Sequence, residues 1–271
     1  MDKSNVILVM PDIHGREFWK DYSDPVKVKE YEKIVFLGDY LDPYHEERIS
    51  VPEAIENFKE IIEFKRANAE KVVLLLGNHD MPYYSKDYFE KCGPWFCRHD
   101  SAHHDEIAQL FNDNKELFQL VYVHDDVVFS HAGFRYDWVM YVYRKLDDLA
   151  PGLINLDRSD FNKFFMQFNK FLDSGRDAIS LLDIASSYRG DSPRCLYGKW
   201  YNDGSCIWAD VREFSNKDQL EDVKQVFGHT RQVEYDQVKQ VFGKVIKADN
   251  YMMLDNGQAH ELDLDTFELI Y

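Results

Sequence analysis

Five times along this chain an apolar run of the kind that forms a buried strand stops and at once presents Asp, His or Asn, usually beside glycine. Val6-Ile7-Leu8-Val9-Met10 leads into Asp12-Ile13-His14-Gly15, and Ile34-Val35-Phe36-Leu37 into Gly38-Asp39-Tyr40-Leu41-Asp42. Val72-Val73-Leu74-Leu75-Leu76 leads into Gly77-Asn78-His79-Asp80, and Val127-Val128-Phe129 into Ser130-His131-Ala132-Gly133. The last of the five is Val226-Phe227 before Gly228-His229-Thr230. Runs that are apolar at consecutive positions suit strands covered on both faces. Ligands of open α/β sheets bind beyond the carboxyl ends of the strands, so the five loops are expected to converge on one cleft.

The residue types point to a metal. Asp12, His14, Asp39, Asn78, His131 and His229 offer carboxylate, amide and imidazole donors, a mixture that suits Mn²⁺, Fe²⁺ or Zn²⁺ better than a thiolate-preferring ion. Alternation along a strand end puts Asp12 and His14 on one side, where they can grip one ion. The whole set is too large for a single catalytic ion with open positions but suits two ions sharing a bridging carboxylate, the recurring machinery of phosphoester hydrolysis. Taken singly, Asp-x-His or Gly-Asn-His reads as an ordinary capped loop; the ordered set of five does not.

Taken as a set, these motifs resemble the calcineurin-like metallophosphoesterases, and within them the phosphoprotein phosphatase (Ser/Thr phosphatase-like) branch. The resemblance implies a four-layer α/β/β/α sandwich with a dinuclear centre at its sheet edges. It implies that Asp12 and His14 hold one ion, that Asp39 bridges, and that Asn78, His131 and His229 hold the other. It makes His79 the general acid, oriented by Asp42, and a metal-activated hydroxide the nucleophile. Three positions depart from the family pattern. Pro43-Tyr44 stands where Arg-Gly is usual, Leu76 stands where an arginine is usual, and Arg231 replaces a second histidine of other branches. Both phosphate-gripping arginines are thus missing. Arg212 is the first candidate to replace them, with Arg135 and Arg16 behind it. Tyr44, Tyr83 and Tyr84 flank the loops and offer rings for stacking.

Function is expected to be that of a phosphomonoesterase or Ser/Thr-type protein phosphatase, with two divalent ions, Mn first and Fe, Zn, Ni or Co compatible. Hydrolysis of dinucleoside polyphosphates or other nucleotides is the enzymatic alternative. A metal-stabilised binding module is the non-enzymatic one, and the His79/Asp42 pair argues against it. Partners are expected to be a small phosphoester or a phosphopeptide. The 49 acidic residues against 32 Lys+Arg give a net charge of −17, which disfavours nucleic-acid backbones and anionic membranes. A compact phosphoester is a different matter, because two divalent ions outweigh the two ligand carboxylates locally.

Residues 1–271 are expected to form a single α/β domain with a largely helical insertion or lid over about 136–190. Ser50-Val51-Pro52-Glu53 predicts a capped helix with Ala54, Ile55, Phe58, Ile61 and Ile62 on one face. Ser159 is expected to cap a second helix striped with Phe161, Phe164, Phe165, Phe168, Phe171 and Leu172, and Asn256-Gly257 to turn a hairpin. Cys92, Cys97, Cys195 and Cys206 are expected to be free thiols. Cys92 and Cys97 with His99, His103 and His104 match no standard zinc spacing. The first apolar run is too short for a signal peptide or a membrane span, so a soluble, cytoplasmic protein is expected.

Overall fold

The computed structural model describes residues 3–94, 97–154, 160–184, 204–214, 220, 222–231 and 244–270. In chain order the strands are β1 (Val6–Met10), β2 (Lys33–Phe36), β3 (Val72–Leu75), β4 (Phe118–Gln119), β5 (Val121–His124), β6 (Val127–Ser130), β7 (Lys224–Phe227), β8 (Ile246–Lys247), β9 (Tyr251–Met253), β10 (His260–Asp263) and β11 (Glu268–Ile270). They build two sheets, ordered β11-β10-β1-β2-β3-β4 and β5-β6-β7-β9-β8. Within the first, β1, β2, β3 and β4 run parallel and β10 pairs antiparallel with β1, Val6 lying opposite Asp263. Within the second, β6, β7 and β9 run parallel.

The consecutive apolar runs are explained by what lies on each side of the sheets. Ile7, Val9, Val35, Leu37, Val73 and Leu75 pack with Val127, Phe129, Val226 and Met252 in the layer between the sheets. Their neighbours Leu8, Met10, Ile34, Phe36 and Leu74 join Ala54, Ile55, Phe58 and Ile61 of the first helical layer. On the far side Phe227, Tyr251 and Met253 pack with Val211 and Phe214. Helices, sheet, sheet, helices is the expected four-layer order. Each fully buried side chain of this size contributes roughly 1.5–3 kcal/mol.

The helices are α1 (Pro25–Glu30), α2 (Val51–Ala67), α3 (Met81–Tyr84), α4 (Lys86–Cys92), α5 (His104–Asn112), α6 (Tyr136–Leu149), α7 (Phe161–Met166), α8 (Arg176–Ile179) and α9 (Val211–Phe214). The capping box of α2 forms as expected: Ser50 and Glu53 satisfy each other's main-chain N–H groups, worth about 1 kcal/mol. The middle of the chain is helical where it is described, with 3₁₀ segments Gln167–Asp173 and Ser180–Asp183 between and after α7 and α8. Residues 155–159 and 185–190 lie outside the described residues.

Two local expectations are corrected. Asp160, not Ser159, caps α7, accepting the N–H of Lys163, and the phenylalanine stripe runs on through a 3₁₀ segment instead of one helix. The Asn256-Gly257 turn does not close a hairpin. β9 pairs with β7 and β8 whereas β10 pairs with β1 and β11, so the turn carries the chain from one sheet to the other. β10 completes four residue pairs along β1, Val6 to Val9 against Asp263 to His260.

Candidate metal centre

All five motifs lie at the carboxyl ends of β1, β2, β3, β6 and β7, and parallel pairing within each sheet brings those ends to one edge. Asp12, His14, Asp39, Asn78, His131 and His229 are all buried. Two donor groups form, His14 with Asp39 and His79, and Asp39 with His131 and His229, each with atoms within 4.8 Å of one another. Asp39 belongs to both. Its Oδ2 lies 3.5 Å from Nε2 of His14 and 3.4 Å from Nε2 of His131.

The imidazoles are pre-set for coordination. Nδ1 of His14 donates to the Leu41 carbonyl at 2.7 Å and Nδ1 of His131 to that of Leu37 at 2.9 Å. Both rings therefore carry their proton on Nδ1 and turn a lone pair on Nε2 towards Asp39. Nε2 of His131 also faces Oδ1 of Asn78 and Nδ1 of His229, each at 3.0 Å. Such a gathering of acceptor atoms around one spot is favourable when a cation lies between them. Asp12, just beyond β1, belongs to neither of these two donor groups; its Oδ1 accepts the His229 N–H at 2.9 Å.

Burial acts on the same atoms. It pushes the Asp39 carboxyl up to about 7, with Asp12 adding to the rise and His79 and Arg98 opposing it. It holds His14 well below the usual imidazole range, helped by His79, Arg98 and Arg16. A neutral His14 is a competent ligand, and a divalent cation would return Asp39 to its charged form. The donor set fits divalent metal.

The backbone is shaped to allow these approaches. His14, Asp39, Asp42 and His229 all take left-handed φ values, 44°, 52°, 55° and 67°, a strain of the kind held at functional sites. A Cβ on Gly77 would lie 2.1 Å from Oδ1 of Asp39, and one on Gly228 2.2 Å from Oδ1 of Asp12. Glycine at these two places is what lets the carboxylates sit against the main chain.

His79 and Asp42 meet as expected, Nδ1 donating to Oδ2 at 2.9 Å. Asp42 is held in turn by Tyr83, whose hydroxyl donates to Oδ1 at 2.7 Å and accepts the Asp100 N–H. The Tyr83 ring stacks on His99 and Tyr84 packs on Phe111 and Phe118, so both tyrosines are core groups and not open platforms. His99 meets His104 at 2.9 Å while Cys97 turns to the Asn78 carbonyl at 3.3 Å. Among the described residues, the Cys/His cluster between 92 and 104 gathers no third donor around one point.

The arginine candidates separate clearly. Arg16 is buried, bound to Glu47 and to the Asp12 carbonyl. Arg135 is buried over the Phe214 ring. Arg212 is more than half exposed and forked on Asp210. Its segment is docked on the fifth motif, for Val211 donates to Thr230 Oγ1 and the Trp208 ring meets that of His229 at 5.7 Å. Two groups escaped the sequence reading. Asp80 is fully buried and accepts the N–H groups of Gly77, Asp39 and Tyr40, and Arg98 reaches His14 from the stretch between α4 and α5. Asp80 sits inside a motif and was open to notice; Arg98 follows no periodic or motif signal.

A family model for calcineurin-like phosphoesterases matches residues 6–232, and the chain belongs to that family. It is thus a phosphoester hydrolase, from a metal-dependent family, with buried His/Asp groups that could hold metal. Among solved structures it is similar to a cold-active protein tyrosine phosphatase, at 17% identity and a TM-score of 0.46, covering 96% of this chain and 74% of that one. A structure of the cold-active protein-tyrosine phosphatase of a psychrophilic Shewanella species gives 16% and 0.41, with 96% and 75% covered. A protein serine/threonine phosphatase from Saccharomyces cerevisiae gives 16% and 0.46, with 96% and 73% covered. No curated protein matches. Among the described residues, no helix is long and apolar enough to cross a membrane.

Proposed function

We propose that this protein is a dinuclear metal-dependent phosphomonoesterase, acting on phosphoserine or phosphothreonine peptides or on a small phosphoester. The observation that carries the reading is Asp39, shared between two buried donor groups and flanked by the His79–Asp42 pair. Asp12 and His14 would hold one ion, Asn78, His131 and His229 the other, with Asp39 between. Oxygen and imidazole donors favour Mn²⁺, with Fe, Zn, Ni or Co compatible. When bound, the two ions supply Lewis acidity towards phosphoryl oxygens and a water acidic enough to attack phosphorus near neutral pH.

The chain's own residues do the rest. Asp42 fixes the Nδ1 proton of His79, which leaves Nε2 to carry the proton that the departing alkoxide needs. Tyr83 keeps Asp42 from swinging away. The buried surroundings keep His14 neutral and strengthen every charge interaction within the cleft. Arg212 is proposed to add a substrate-binding cation at the site's edge, supported by the docking of its segment on the 228–230 loop. A cytoplasmic setting is part of the same proposal.

A panel of phosphoesters assayed with Mn²⁺, Zn²⁺ and Mg²⁺, with Asp12→Asn as the blank, tests it. Release of orthophosphate from a phosphopeptide supports the phosphatase reading. Nucleotide products from a dinucleoside polyphosphate, with no orthophosphate from phosphopeptides, would overturn it. Equal activity of the blank would remove the metal centre from the account.

A further inference from the structure

The two arginines expected to grip phosphate are absent, at Pro43 and Leu76, and three others gather around the ring of Tyr44. The guanidinium carbon of Arg98 lies 3.5 Å from the ring centroid, that of Arg231 4.3 Å and that of Arg16 5.7 Å. Tyr44 in turn meets the His14 imidazole edge-on at 4.9 Å. The arginine stack is therefore built directly against a candidate metal ligand.

The three charges are met differently. Arg16 is bound to Glu47, and Arg231 pairs with Glu46 and Glu47. Arg98 has no carboxylate within ion-pair distance among the described residues. Its Nε donates to the main-chain carbonyl of Asp42 at 3.0 Å, and its Nη2 lies 3.3 Å from both ring nitrogens of His14. The residue is exposed, yet its head is held in place by the Tyr44 face and the Asp42 backbone. A surface arginine serving only stability would be expected to find an acidic partner, and in a chain of charge −17 there are many. Instead this guanidinium is fixed beside donors that call for two dications. Like charges repel, so the arrangement becomes favourable when an anion lies among them. A planar guanidinium offers parallel N–H groups that match two phosphate oxygens.

We propose that Arg98 is a phosphate-binding cation of this site, additional to Arg212 at its edge, and that Tyr44 is the positioning residue that holds its guanidinium beside His14. The proposal rests on the phosphoester reading above. Arg16 and Arg231, with their charges met by glutamates, brace the ring and leave Arg98 to face the substrate.

The test is calorimetric titration of inorganic phosphate into Mn²⁺-loaded protein, with metal content measured for every variant. Arg98→Ala is expected to weaken phosphate binding about tenfold or more, as loss of a charged hydrogen-bond pair does, with metal content unchanged. Arg98→Lys recovers part of the loss, keeping the charge but not the fork. Tyr44→Leu falls towards Arg98→Ala and Tyr44→Phe matches the wild type, since the stack needs the ring and not the hydroxyl. Equal phosphate affinity in the wild type and Arg98→Ala overturns the inference, and so does loss of metal in that variant. The proposed function then still stands if the wild type releases orthophosphate. A wild type that binds phosphate through Arg98 but hydrolyses no ester sinks the function and keeps the inference. Neither binding nor hydrolysis sinks both.

Discussion

Asp80 accepts the main-chain N–H of Asp39 at 2.7 Å. The same oxygen takes the Gly77 N–H at 2.8 Å, and the other takes that of Tyr40 at 3.0 Å. One fully buried carboxyl thus ties the ends of β2 and β3 together and holds Asp39 in its left-handed conformation. The position shared by the two donor groups is set from behind, by a carboxylate that holds Asp39 through its main chain.

Asp80→Ala would orphan three buried N–H groups at roughly 1–3 kcal/mol each. Urea denaturation should show a loss of about 3 kcal/mol or more, with a smaller loss for Asp80→Asn, which keeps one acceptor oxygen. Wild-type stability in the alanine variant would refute the role.

His79→Asn should slow hydrolysis of alkyl phosphates by about 10²–10⁴-fold and that of p-nitrophenyl phosphate much less, because a good leaving group needs no proton. Equal losses on both substrates would remove His79 as the acid. Tyr83→Phe should act in the same direction but more weakly, through a less constrained Asp42.

Chelation should abolish activity and lower the melting temperature, and Mn²⁺ should restore both, since ligands that bind only the folded state stabilise it. Gly77→Ala, whose Cβ would meet Asp39 Oδ1 at 2.1 Å, should lose metal while keeping its far-ultraviolet circular dichroism. Metal retained at full stoichiometry in this variant would contradict the packing argument.

His260 gives a pH signature away from the centre. Burial lowers its pKa to about 4, with Nε2 donating to Asn256 Oδ1 at 2.7 Å. The unfolded chain takes up this proton near pH 6.5 and the folded one only near 4, so folding stability falls as pH drops between those values. The full effect is about 3 kcal/mol. His260→Gln should flatten the decline of unfolding free energy between pH 6.5 and 4; an unchanged slope would place the decline elsewhere.

What was legible in the sequence was whatever chain geometry writes locally. An apolar run followed by glycine and a donor states both a strand and its carboxyl end, and so the placing of Asp12, His14, Asp39, Asn78, His131 and His229 in buried loops beyond the strands follows from the chain itself. Ser50 and Glu53 likewise announce their own helix. Arg98 could not be named, because its importance comes from Tyr44 and His14, distant along the chain and adjacent only after folding. Asn256-Gly257 announces a reversal but not the partner strand, since pairing is decided by which edge stands open, here that of β1. Asp80 was visible as a letter in a motif; that it serves main-chain donors and not a ligand needed the burial around it.

The placement of β10 beside β1 bears on how the molecule is made. β1, which carries Asp12 and His14 at its end, gains its second neighbour only when Val6 meets Asp263. A ribosome must therefore extend the chain through residue 263 before β1 is enclosed on both sides. Until then β1 stands as an open edge, and the strand that leads into Asp12 and His14 lacks one of its two neighbours.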